Sequence, residues 1–394
     1  MPIDHCLAKR SDSRCKLQYS LHILVAVIIC NFVKSVLMFG ALWTQREETL
    51  VTFGDALASW LDYPDDTTTD RCLQGKDGTV YDGRTGTATG KTNAYPATIY
   101  LGLHARRWHV AVAVSKRYWL SVILLCLVTV VTGGILFGIA LRDLASNNYN
   151  KLITEGFGEV RPGFFLDTKL PTKGPSGLIF SVLVANTPQV IASLCYLFYN
   201  SLLTAMHMSR EYSAYAIQRN HLRVTTPKGE QRSTYWLQLP FAYGIPLAIA
   251  SSILHWLISQ SIFLARVATR WDGVGSGRVR MAGVKSNQSA LGISLAPMLA
   301  SIMLASCLLV TVMGLSFRRL KSNMPVAGSC SLALAAATHR PREDVDASKL
   351  SVIWGEVTSM GDEDVGHCCF TSQEVVHLTH GRRYAGGRSV TTEE

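Results

Sequence analysis

The chain has 394 residues, of which 48% are hydrophobic and only 17% charged, and its formal net charge is +10. Soluble domains carry roughly 25% charged residues, so this deficit argues against an ordinary soluble protein and indicates long uncharged membrane segments. No basic helix or basic patch interleaved with aromatic residues stands out, and we therefore expect no nucleic-acid partner. The Lys and Arg residues flank apolar runs instead, where they would meet anionic lipid headgroups.

The amino end predicts a retained membrane helix. Residues 1–16 form a short basic segment, and an apolar run from Leu17 to Met38 follows it. This run is too long for a signal peptide, and no small-residue cleavage site follows it. Lys34 lies near the carboxyl end of the predicted span 17–38, where it either snorkels to the interface or acts as a buried functional lysine.

An amphipathic segment follows in the long polar connection to the second span. Its apolar residues recur at helical spacing: Leu50, Phe53, Leu57, Trp60 and Leu61. Its polar residues line the opposite side: Thr52, Asp55, Ser59 and Asp62. The segment is too short and too charged to span a bilayer, so we predict one amphipathic helix that lies in the membrane interface or caps the bundle. The two aspartates are interpreted as a solvated acidic face rather than a catalytic pair.

The second predicted span covers residues 118–141 and contains Gly134 and Gly138 four positions apart. This spacing allows a neighbouring helix backbone to approach closely. Two interpretations remain open, which are a homo-oligomer contact and packing within one chain.

The third predicted span, residues 178–206, has no charged residue. Polar residues recur on one face of it and just beyond its end: Gln189, Ser193, Tyr196, Asn200 and His207. A polar face of a membrane helix must point at protein or water, so we expect the other helices to gather around this one.

The fourth and fifth predicted spans cover residues 240–267 and 290–315, and a polar carboxyl-terminal tail, residues 318–394, follows them. The fourth span also carries a polar face, formed by Ser252, His255, Ser259 and Arg266. Interhelical hydrogen bonding and a polar pathway both explain such a face. Short apolar stretches in the tail suggest at most a small folded cap.

Catalytic and metal-binding signatures are absent from the sequence. We find none of the common protease, hydrolase, phosphate-loop or kinase motifs, so we predict a non-enzymatic protein without a cofactor. The weak metal-ligand candidates are His367, Cys368, Cys369, His377 and His380. Their spacing matches no strong zinc module, and a role as surface and packing residues is the simpler interpretation.

Orientation is not decided by the distribution of basic residues. With five spans the termini lie on opposite faces, and thirteen Lys and Arg residues lie near the membrane on each side. The basic residues that begin the tail cluster tightly at the membrane, which favours a cytoplasmic tail.

Several stretches resemble a fungal family of multi-pass membrane proteins that carry the domain of unknown function 6536. They include TFGDALASWL, QRSTYWLQLPFAYGIPL, LHWLISQSIFLARV and GHCCFTSQEV. The resemblance runs from about Cys15 to Tyr384 and covers the carboxyl-terminal membrane part of that family, without the amino-terminal part that holds the named domain. It implies a fungal integral membrane protein and no activity, because the family is uncharacterised.

The sequence therefore predicts an all-α, polytopic membrane helix bundle of about five transmembrane helices plus one interfacial amphipathic helix. We expect its membrane to be the plasma membrane or an endomembrane, and its partner to be the lipid bilayer. The predicted role is a receptor- or scaffold-like membrane component. The alternative is a transporter or channel-like protein that uses the polar faces of spans three and four for an unknown substrate.

Overall fold

The computed structural model of the protein describes residues 21–44, 50–69, 71–75, 98–100, 114–145, 174–235, 238–270, 285–361 and 364–384. Within these ranges the fold is mostly helical, with 60% helix and seven helices. Five of the described helices are long and apolar enough to cross a membrane. The structure separates into two compact units, which divide after Leu50.

The first unit contains helix α1, Leu21–Thr44. The helix carries no Gly or Pro before Gly40, so its apolar run meets no strong helix breaker over most of its length. None of its described side chains is buried.

Four helices of the second unit form a group that we call the bundle. They are α3 (Lys116–Ala145), α4 (Gly174–Ala214), α5 (Phe241–Ser261) and α6 (Leu295–Ser316). The start of α3 lies beside the end of α6, because Trp119 Nε1 donates to Ser316 Oγ at 3.0 Å. Tyr199 in α4 donates its hydroxyl proton to the carbonyl of Leu308 in α6 at 3.0 Å. Neighbouring α3 and α6 therefore run antiparallel, with α4 packed against them.

The fourth predicted span is too long at its carboxyl end. Helix α5 ends at Ser261, and the chain continues as strand β5, Ile262–Arg270, which pairs antiparallel with β6, Lys285–Ile293. The β-branched residues of this segment, Ile262, Val267 and Thr269, favour an extended backbone. The prediction that Arg266 extends the polar helix face is therefore wrong, since Arg266 lies in β5 opposite Ser289.

The other part of the second unit, which we call the cap, comprises helix α2, the carboxyl end of α4, helix α7 and eight short strands. Its helices are α2 (Phe53–Asp62) and α7 (Ser331–Ala336). Its strands, here numbered in chain order with β5 and β6 above, are β1 (Thr98–Ile99), β2 (Asn220–His221), β3 (Arg223–Val224), β4 (Arg232–Ser233), β7 (Ser351–Glu356), β8 (Val365–Gly366), β9 (Cys368–Thr371) and β10 (Arg383–Tyr384).

Three small sheets order these strands. One has the order β2-β7-β9 with antiparallel pairing, so that Trp354 lies opposite Phe370. The second has the order β1-β10-β8, and the third pairs β3 with β4. The cap core lies against the first sheet and buries aromatic and aliphatic side chains that include Leu57, Tyr215, Leu222, Trp354 and Phe370.

The cap corrects two predictions from the sequence. The residues from 318 onward are not simply a polar tail, because Phe370, Cys368 and Trp354 belong to a buried core. Each apolar stretch there is too short to bury its own surface, but the stretches combine with α2 and α4.

Helix α2 is the second correction, since its apolar side is covered by protein and not by the membrane interface. Phe53, Leu57 and Leu61 are buried in the cap core. A Cβ atom at Gly54 would collide with the carbonyl of Arg223, so glycine permits this close approach of α2 to β3. The apolar side of α2 is therefore not available to the membrane interface, and the capping position stays a prediction.

Candidate functional sites

The polar face of α4 is divided between two places. Ser193 Oγ lies 3.5 Å from His255 Nε2 of α5 and also bonds the carbonyl of Gln189 at 3.0 Å. His207 lies at the other end of α4, where its ring packs on Tyr243 of α5 at 4.0 Å between centroids. Between these contacts Asn200 is half-buried and Tyr196 is exposed. The five predicted residues thus do not converge on a single site.

The polar face of α5 bonds mainly to its own helix. Ser252 Oγ donates to the carbonyl of Ala248 at 3.0 Å, and Ser259 Oγ donates to that of Trp256 at 2.7 Å. Hydroxyl groups on apolar helices commonly satisfy themselves in this way. Of the residues predicted on the polar faces of α4 and α5, the structure brings together Ser193 and His255.

The GxxxG pair of α3 is open towards its surroundings. A Cβ atom at Gly134 or Gly138 would meet nothing within 4 Å among the described residues, whereas one at Gly133 would lie 3.4 Å from Ile302 of α6. Packing between α3 and α6 therefore uses Gly133, and the face with Gly134 and Gly138 lies free of described neighbours.

The cap contains a buried cluster of cysteine and histidine side chains. Three of the predicted metal-ligand candidates, His367, Cys368 and Cys369, are buried in it. His377 and His380 are exposed and lie outside it. The cluster also contains Cys72 and His339, which the sequence did not indicate. Cys368 Sγ lies 3.7 Å from the carbonyl of Cys72, across 296 positions of the chain.

Hydrogen bonds define the protonation of His367. Its Nε2 lies 2.8 Å from the carbonyl oxygen of His339. A carbonyl only accepts, so Nε2 carries the proton and Nδ1 is the nitrogen available to a thiol. His339 is held in turn by Thr68, whose Oγ1 lies 2.8 Å from its Nε2.

The cluster favours ionisation of one thiol. Burial opposes the charged form, but hydrogen bonds with Cys368 and His367 lower the pKa of the Cys72 thiol. Burial also opposes the imidazolium, yet the thiols of Cys369 and Cys72 raise the pKa of His367 above its usual value. Burial and the neighbouring Cys72 raise the pKa of Cys368. The neighbouring groups thus oppose the effect of burial on the pKa at Cys72 and at His367.

A catalytic role needs access for a substrate, and this cluster offers little. The exposed fraction is 3% for Cys72, 1% for His367 and 0% for Cys368. In the described part of the chain, no group of three or more His, Cys, Asp or Glu side chains has the arrangement of a metal site. The cluster is thus best described as a tightly packed polar element of the cap core.

Sequence comparison identifies the family. Residues 82–384 match the family model described as a domain of unknown function (DUF8419). The chain belongs to this family. No curated protein and no solved structure matches it. The result agrees with membership of an uncharacterised family, although the matching model is not the domain 6536 named by the resemblance.

Proposed function

We propose that this protein is a non-enzymatic, receptor- or scaffold-like membrane component whose bundle anchors the cap. The five long apolar helices are compatible with a membrane-embedded chain. The family adds no activity, and the resemblance to fungal membrane proteins is compatible with the same role.

The observation that carries this proposal is the continuity of α4 through both cores. Leu202 and Met206 belong to the buried core of the bundle. Tyr212, less than two turns later, and Tyr215, immediately beyond the helix, belong to the core of the cap. A helix fixed at both places transmits any displacement between membrane and cap, which is what a receptor or scaffold requires.

A transporter or channel is the alternative, and half-buried Gln189 and Asn200 are the observations in its favour. Against it, the hydroxyls of Ser193, Ser252 and Ser259 bond carbonyls of their own helices. Such bonds stabilise a lone polar group in lipid without creating a hydrated path.

Reconstitution distinguishes the two functions. We expect proteoliposomes containing the parent chain to conduct a panel of inorganic ions and small organic solutes no faster than empty liposomes. A photocrosslinking amino acid at exposed Val345 or Val376 of the cap should then give a discrete protein adduct in cells, whereas one at buried Phe370 should not. The scaffold proposal is overturned if the parent chain conducts a solute and if Asn200→Leu or His255→Leu abolishes that flux in folded protein. This result would establish the transporter or channel.

We further propose that the cap faces the cytoplasm. Exposed basic residues gather at the cap end of the bundle: Lys116, Arg117, Arg318, Arg319 and Lys321. At the opposite end the described basic residues nearest the helices are Arg142, Arg266, Arg270 and Lys285. A tight cluster of Lys and Arg beside the helix ends favours the cytoplasmic side. The membrane itself is proposed to be the plasma membrane or an endomembrane.

A homo-oligomer through α3 is a further proposal about partners. The face with Gly134 and Gly138 has no described neighbour within the chain. It is flanked by exposed Val131, Ile135 and Ile139. Close helix association in lipid depends on such small residues.

A further inference from the structure

Three arginines lie where the bundle meets the cap. Arg210 lies in α4, Arg223 in β3 and Arg318 just after α6. Arg210 follows His207 by three positions and therefore lies on the same side of α4, and the His207 ring packs on Tyr243 at 4.0 Å between centroids. Arg223 forms an ion pair with Glu211, the next residue of α4 after Arg210. Arg318 Nη1 also lies 3.5 Å from the hydroxyl oxygen of Tyr243. We call this group of side chains the arginine cleft.

The arginine cleft carries uncompensated positive charge. Its acidic member is Glu211, which accepts from Arg223 Nε at 2.6 Å. Among the described residues, neither Arg210 nor Arg318 forms an ion pair with a carboxylate. Over the ranges that the structure describes, three guanidinium groups against one carboxylate leave two positive charges.

One donor of the cleft is unused. Arg223 stacks on the ring of Tyr235 at 4.4 Å, which holds its guanidinium in place. Its Nη1 is shielded from solvent and has no hydrogen-bond partner among the described residues. A buried donor without an acceptor is costly, so an acceptor placed there would be stabilised.

The cleft lies at the depth of the lipid headgroups if the bundle spans the bilayer. Arg318 follows the last residue of α6, Ser316, by two positions. Ser316 Oγ lies 3.6 Å from Met206 Sδ of α4, so Arg210, four positions after Met206, lies about one helical turn beyond the end of α6. Tyr235, Phe241 and Tyr243 lie nearby, with rings of Tyr235 and Phe241 4.9 Å apart. Aromatic side chains of this kind are enriched at membrane interfaces.

We propose that the arginine cleft binds the phosphomonoester headgroup of a phosphoinositide in the leaflet on the cap side. A phosphomonoester carries about −1.5 to −2 charges at neutral pH, which matches the two uncompensated positive charges. Planar guanidinium groups bind phosphate oxygens in bidentate fashion. The inference rests on the proposed membrane-spanning bundle.

The test is a binding titration of the detergent-purified full chain. The probe is a fluorescent short-chain phosphatidylinositol bisphosphate, and short-chain phosphatidylserine, phosphatidylcholine and inorganic phosphate are the comparisons. We expect the bisphosphate lipid to bind most tightly and to weaken as salt increases. Arg210→Gln and Arg318→Gln should each weaken it about tenfold, the loss of one charge-assisted contact. The matched control Arg342→Gln, at an exposed site of the cap, should leave binding unchanged.

Several outcomes overturn the proposal. They are equal binding of phosphatidylcholine, preference for inorganic phosphate over the lipid, and parental affinity in both variants. If a Gln variant loses its parental melting temperature, Arg210→Lys and Arg318→Lys replace it, and a reduced affinity for the lipid is again expected because bidentate geometry is lost. Carbonate extraction of cell membranes distinguishes a failure of the membrane-spanning proposal from a failure of the lipid-binding proposal. A chain released by carbonate contradicts the membrane-spanning function, whereas a retained chain without lipid binding contradicts the cleft alone.

Discussion

At the scale of single residues, Asp55 shows how one carboxylate joins distant parts of the cap. It completes a capping box with Thr52 at the start of α2. Its two oxygens also accept from the backbone N–H and the hydroxyl of Thr225, each at 2.7 Å. The predicted solvated acidic face therefore describes Asp62, which is exposed, but not Asp55.

The hydrogen bonds of Asp55 make cap stability dependent on pH. Burial opposes its charged form, but the bonds from Thr225 and Thr52 lower the pKa of Asp55 below its ordinary value of 3.8. The unfolded chain thus binds the proton more tightly than the folded chain. The contribution of charged Asp55 to the stability of the cap is complete above about pH 4, near the pKa of the unfolded chain. It is lost as the pH falls through the lower pKa of Asp55 in the folded protein.

Asp55→Asn should lower the free energy of unfolding by about 1 kcal/mol near neutral pH, because it weakens a helix cap. The difference between parent and variant should shrink as the medium is acidified below pH 4. Melting temperatures in detergent across an acid pH series measure this effect. Asp62→Asn is the control and should match the parent throughout, and an equal loss in both variants would refute the assigned role of Asp55.

At the scale of elements, α3 has two adjacent glycines with different surroundings. Gly133 faces Ile302 of α6, whereas Gly134 faces no described residue. A substitution at Gly133 therefore tests packing within the chain, whereas one at Gly134 tests contacts with other molecules.

Gly133→Leu should destabilise the chain by about 1–3 kcal/mol, because the added side chain must displace Ile302. Gly134→Leu should change stability by no more than about 0.5 kcal/mol, as at an open surface site. Thermal unfolding in detergent compares the two. The homo-oligomer proposal predicts in addition that Gly134→Leu lowers the amount of crosslinked dimer in membranes while the stability of the chain stays at the parental value. Equal destabilisation by both variants would mean that α3 presents a different face to α6.

At the scale of the whole molecule, the proposed orientation makes a direct prediction. Protease added to the cytoplasmic side of sealed membranes should remove an epitope attached at Glu394 and digest the cap. Protease added to the opposite side should leave both intact until detergent opens the membranes. The reverse pattern would place the cap outside and contradict the proposed cytoplasmic orientation.

The sequence predicts the long helices better than the cap, for a physical reason. A charge-free run of hydrocarbon length is a local property, so the predicted span 118–141 lies within Lys116–Ala145. The predicted span 290–315 ends one residue before Leu295–Ser316 does, but it begins five residues too early, in β6. The cap depends on contacts between distant segments. Thr52 bonds the carbonyl of Arg223 across 171 positions, and Arg340 bonds that of Leu61 across 279. Neither contact leaves a periodic pattern, so the partners of α2 and Cys72 were not predictable.

The ribbon of β5 and β6 has a consequence for how the chain is assembled. Its pairing begins at Ile262 with Ile293 and continues over nine residue pairs to Arg270 with Lys285, so α5 and α6 emerge side by side from one end of the ribbon. Closing a short segment early costs little chain entropy, and local contacts form rapidly. We therefore expect α5 and α6 to enter the bilayer together, as a preassembled pair during synthesis, and to dock afterwards on α3 and α4.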